Sequence, residues 1–172
     1  MFQINDTIIY GSEGVCRIVA IEEKNFVGVN KNYYVIKPVE KDGLITYVPL
    51  DSEILVSRMR KLLSKEEINE LIDSLPEKPM DWISNERERK EEYKKLLLTG
   101  DRVELLKMIH AVHIERQSRE SMNKRLHIAD EHFLKEAEQC IYSEFRYVLE
   151  IEQEEIIPYI IARIDKKEHN YL

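Results

Sequence analysis

The apolar residues of this chain change their period near Ser64. Before that point they fall in short β-branched and aromatic runs broken by turn residues; after it they recur three and four apart, as on one face of a helix. Residues 6–10 form the first run and are bounded by Gly11-Ser-Glu-Gly14, and residues 15–21 continue until charges and Asn25 interrupt them. Residues 32–37 are closed by Pro38, and the Lys41-Asp42-Gly43 turn leads into residues 44–48, stopped by Pro49. No helix-length crossover separates these runs, so they predict four strands in a meander that curls into a small barrel. About 60 residues is marginal for an independent core.

The helical signal opens with Ser64-Lys-Glu-Glu67, a capping-box pattern, followed by Ile68, Leu71, Ile72 and Leu75. Pro76 and Pro79 end that helix and make residues 76–84 a linker or elbow. A second helix is expected from about Asn85 to Leu98, stopped by Thr99-Gly100-Asp101, and a third from Asp101 through Leu105, Met108, Ile109 and Val112 toward Arg125. A fourth spans about Asp130 to Leu149, and a fifth about Gln153 to Ile164, where Pro158 is tolerable only in the first turn. The expected class is α+β, a small N-terminal Tudor- or SH3-like β-barrel followed by an all-α domain. The divisions are 1–58, a short helix and linker at 59–84, and a helical domain at 85–172.

The net charge of −7 argues against broad nonspecific affinity for nucleic acid, which needs many cations on phosphate. The distribution is uneven: residues 87–126 carry 11 Lys/Arg against 7 Asp/Glu, and residues 127–172 carry 5 against 11. Cys16 and Cys140 form neither a metal spacing nor a disulfide framework and read as core thiols. No segment approaches the roughly 20 apolar residues of a membrane span. The first residues lack a secretory pattern, so the expected location is the cytoplasm, with no membrane partner and no cofactor.

Several ordered motifs resemble the CarD family of bacterial transcription regulators. They are the runs at 5–10, 13–22 and 33–37, then Ile45-Thr-Tyr-Val-Pro-Leu-Asp51, with Leu63-Ser-Lys-Glu-Glu67 and Leu98-Thr-Gly-Asp101 following in the same order. The resemblance implies a Tudor-like domain that binds the RNA polymerase β subunit, and a helical domain that contacts promoter DNA at the upstream edge of the bubble. It places the family's polymerase-contacting cations on Lys24 and Tyr47, so that an aromatic ring stands where the family carries a charge. An incompletely closed sheet also leaves main-chain groups on an edge, where a partner strand can add.

The candidates for DNA contact are Trp82, Arg87, Arg89, Lys90 and Lys94. Trp82 is the only tryptophan and stands between the proline elbow and a basic helix, where its ring could wedge at a minor-groove step or instead fill a core. The family's wedging tryptophan aligns with Glu86, and the basic residues that open the family's fourth helix align with Glu131 and His132. Arg87, Lys90 and Lys94 fall along one helical face, interspersed with Glu88, Glu91 and Glu92 that could pair with them. DNA affinity is therefore expected to be weak outside a polymerase complex, where tethering raises the effective concentration.

No phosphate loop or nucleophile elbow occurs, and the chain is not expected to be an enzyme. His110 and His113, with Glu104 and Glu115 nearby in sequence, do not make a metal motif. The alternative is a polymerase-docking interaction module whose helices bind another protein rather than DNA.

Overall fold

The computed structural model describes residues 1–26, 28–75 and 80–169. Pro76 and Pro79 of the expected elbow lie outside the described residues, as does the side chain of Ile164. The chain divides into two compact units, Met1–Leu62 and Leu63–Leu172. The first is a small β domain and the second is helical, the α+β class read from the residue pattern.

The first unit is an antiparallel sheet of β1 (Thr7–Tyr10), β2 (Val15–Asn25), β3 (Asn30–Pro38), β4 (Thr46–Pro49) and β5 (Met59–Lys61), in the order β4-β3-β2-β1-β5. The expected meander accounts for β1 to β4. The fifth strand has only three residues, two of them cations, and so carries no alternating apolar signal. The inner face gathers Ile8, Cys16, Ile18, Tyr34, Ile36 and Val48 into one core. A register shift between Ile18 and Ala20 places Ile21 opposite Tyr34, on the face that Ile18 shares with Ile36, although Ile21 lies beyond the core and is exposed. The four-residue helix α1 (Glu53–Val56), capped by Ser52, lays Leu55 and Val56 against that core. Burial pushes the Cys16 thiol up to about 12, so it is unreactive at neutral pH.

The second unit contains α2 (Lys65–Asp73), α3 (Glu86–Thr99), α4 (Arg102–Ser121), α5 (Ile128–Leu149) and α6 (Gln153–His169). The capping box forms as the sequence suggests: the Ser64 amide donates to Glu67 Oε2 at 2.7 Å, and the Glu67 amide donates to Ser64 Oγ at 3.1 Å. Ser64→Ala is expected to lower the stability of this unit by about 1 kcal/mol, visible as a lower urea midpoint with an unchanged slope. Asn85 and Asp101 cap α3 and α4, and Gly100 (φ 60°) takes the left-handed position between them.

Helix α5 is the hub, contributing Leu134, Ile141 and Phe145 to a core shared with Tyr93, Met108 and Ile156 from α3, α4 and α6. Pro158 lies inside α6, beyond the first turn where the sequence alone would place it. Glu154 and Pro158 are both exposed, so water can take up the carbonyl that the proline leaves without a donor. No described helix is long and apolar enough to cross a membrane.

Candidate functional site

Residues opposite one another in a sheet share a face, and the register of β2, β3 and β4 therefore defines the outer surface of the first unit. Ala20 opposes Val35, which opposes Tyr47; Glu22 opposes Tyr33, which opposes Pro49; Lys24 opposes Lys31. Lys24 and Tyr47, expected from the sequence to act together, thus lie on one face. The Glu22 carboxylate, 2.8 Å from Lys24 Nζ, holds the ammonium above its ordinary range by hydrogen bonding and then by charge, with Tyr47 a smaller contributor. A second cation, Lys31, donates to Asp51 at 2.7 Å.

Phe26 was not singled out by the sequence, yet it completes this surface. Its ring packs edge-on against Tyr33 at 5.2 Å and Tyr47 at 5.1 Å between centroids, while 56% of the residue remains exposed. The only sequence hint is an aromatic residue directly after Asn25, beside Gly28 in a hairpin connection, where polar residues are usual. Three aromatic rings flanked by two cations border β4, which stands at one end of the sheet order with β3 its only strand neighbour among the described residues. Such an edge can extend its main-chain ladder into a partner strand while the rings receive that strand's apolar side chains.

In the helical unit the five DNA-contact candidates separate into two groups. Arg89 is a correction to the expected DNA contacts, because it is 2% exposed and points into the core. Its Nε and Nη2 donate to the two carboxylate oxygens of Asp130 at 2.9 and 2.8 Å, and Asp130 is itself fully buried. Nη1 donates to the carbonyl of Ile83 at 2.7 Å. The Trp82 ring lies under the same guanidinium, 4.4 Å from its carbon, and packs half-buried against the helical core. The hydrogen bond and charge of Asp130 raise the Arg89 pKa further, which keeps the guanidinium charged in spite of its burial. Neighbouring Tyr93 is pushed up to about 12 by burial.

Arg87, Lys90 and Lys94 lie on the solvent side of α3. Arg87 reaches Glu91 at 3.3 Å and Lys90 reaches Glu86 at 2.5 Å, the neighbour pairing that the interspersed glutamates allow. Lys90, first by hydrogen bond and then by charge, lowers the Glu86 carboxyl, and His127 adds to this. The connection from α4 to α5 therefore runs close to the start of α3. It exposes Lys124, Arg125 and His127 beside Met122 and Ile128, residues the sequence reading did not group with α3 because about 35 positions separate them. His113 pairs with Glu138 at 2.9 Å, a partner on α5 rather than either glutamate near it in sequence.

A comparison with protein families matches residues 2–62 to the CarD-like/TRCF RID domain. No curated protein matches the chain.

Proposed function

We propose that this chain is a non-enzymatic transcription regulator that docks on the RNA polymerase β subunit, a reading supported by the match of residues 2–62 to the CarD-like/TRCF RID domain. The β4 edge supplies main-chain hydrogen bonds, and Lys24, Tyr47 and Phe26 supply side-chain contacts on the adjoining face. The observation that carries this reading is the exposed pair of rings, Phe26 and Tyr47, packed over the buried Tyr33 beside an edge strand. A small domain leaves rings in water where a partner is to cover them.

The helical unit would then act on promoter DNA as a tethered, low-affinity contact, through Arg87, Lys90 and Lys94 of α3 and the neighbouring Lys124 and Arg125. Trp82 would serve at the rim of this surface, with Arg89 fixing its ring. Differential binding to the opened promoter is what would alter initiation. Trp82→Ala is expected to shorten the open-complex lifetime about fivefold, roughly 1 kcal/mol of differential binding, with polymerase affinity unchanged. An unchanged lifetime would remove Trp82 from the DNA contact.

The second reading is a polymerase-docking module whose helices bind a protein. The sequestration of Arg89 and the pairing of Arg87 and Lys90 with glutamates favour it, because these reduce the charge offered to phosphate. Polymerase pull-down followed by promoter footprinting separates the two. Retention of the protein on polymerase with no change of footprint selects the module.

A further inference from the structure

Glu13 lies in the short helical turn at 11–13 that links β1 to β2, and Thr46 opens β4, with β3 between β2 and β4 in the sheet order. The two are 33 residues apart in sequence, yet the Thr46 hydroxyl is 3.0 Å from Glu13 Oε1 and 2.9 Å from Oε2. Thr46 opposes Ile36, a fully buried residue of the core, so its side chain stands on the inner face of the sheet, and the part-buried contact ties the start of β4 to the β1–β2 turn on that side. A hydroxyl donating to a carboxylate is among the stronger hydrogen bonds available to neutral donors.

Both ends of this contact are built to transmit position. The Glu13 turn is short and closed: the Tyr10 amide donates to the Gly14 carbonyl at 3.0 Å, with Gly11 (φ 49°) and Gly14 (φ 79°) in left-handed or related backbone that only glycine adopts readily. At the same end of the sheet the Val39 amide donates to the Val15 carbonyl at 2.9 Å. Strand β4 has only four residues, so it has few main-chain bonds to β3 to hold it. Tyr47 follows Thr46 directly, and its ring is part of the aromatic cluster.

We propose that Glu13 is a positioning residue for polymerase docking: through Thr46 it straps the start of β4 across the curled sheet and so sets the angle at which the edge and the Tyr47 ring meet the partner strand. This inference rests on the docking reading above and adds to it a residue that touches no partner. Strands in a sheet are twisted relative to one another, and a tie across the inner face fixes how far the end strand swings.

The test uses the full chain and purified core RNA polymerase. Thr46→Val keeps the shape and strand preference of threonine but removes the hydroxyl, and Thr46→Ser restores it. Thr46→Val is expected to bind polymerase about tenfold more weakly and to speed hydrogen exchange at the Val48 amide, whereas Thr46→Ser binds like the parent. Should Thr46→Val fail to fold, Glu13→Gln, which keeps an acceptor, is compared with Glu13→Ala, and only the alanine variant is expected to lose affinity. Parental affinity in Thr46→Val, while Phe26→Ala is weakened, overturns the strap and leaves the docking reading intact. Parental affinity in both variants overturns the docking reading and the strap with it.

Discussion

Asp130→Ala is expected to destabilise the helical unit by about 3–5 kcal/mol, because it leaves the Arg89 guanidinium buried without its counter-charge. The carboxylate accepts two hydrogen bonds from Arg89, and both residues are buried. The loss should also free the segment before α3, since Arg89 simultaneously holds the Ile83 carbonyl and lies over Trp82. Emission from the only tryptophan therefore reports both the shifted urea midpoint and the release of the ring. The double variant Arg89→Met, Asp130→Leu removes both charges and is expected to recover most of the stability. A cost below about 1 kcal/mol for Asp130→Ala would mean that water reaches the guanidinium.

The second large effect concerns binding rather than folding. Phe26→Ala is expected to weaken association with RNA polymerase by about 30-fold, the scale of a central aromatic contact. Its ring is more than half exposed and lies outside the sheet core, so the thermal midpoint of the chain should move little. Lys24→Ala is expected to act more modestly, and to reduce the dependence of affinity on salt, because the Lys24 ammonium is solvent-exposed and already paired with Glu22. Surface plasmon resonance with immobilised polymerase measures both. Equal affinity of Phe26→Ala and the parent would move the docking surface away from the β2–β3–β4 face.

Features specified by neighbouring residues were legible in the sequence. The Ser64 to Glu67 capping box, the Asp101 cap and the Gly100 stop each depend on residues within a turn of one another, and each forms as the pattern suggests. The strand runs were legible because β-branched and aromatic residues are bounded by glycine and proline. Strand β5 was not, since three residues with two cations owe their pairing to the neighbouring Ile8 and Ile9 rather than to their own pattern.

Arg89 shows where such reading stops. Counted along the helix it is one more cation in a basic stretch, and nothing within a turn of it marks it as different. Its fate is decided by Asp130, 41 positions away, and by the packing of α3 against α5. The same holds for Glu144, buried on α5, which receives Arg102 in two bonds of 2.7 Å and the Leu63 amide at 2.8 Å. Long-range charge pairing leaves no periodic trace, so a count of cations overstates the basic surface that the folded protein offers.

Strand β4 raises a different issue, that of self-association. An unpaired edge beside exposed rings is a template for any extended segment, including the same strand of another molecule. Here the hazard is limited by the strand itself: it is four residues long, and Pro49 offers no amide to a visiting strand. Short edges give up main-chain bonds to any visitor, so a productive one must make up the difference with side chains that fit the aromatic cluster. Brevity of the strand thereby acts as a filter, suppressing filament growth while leaving a matched partner able to bind.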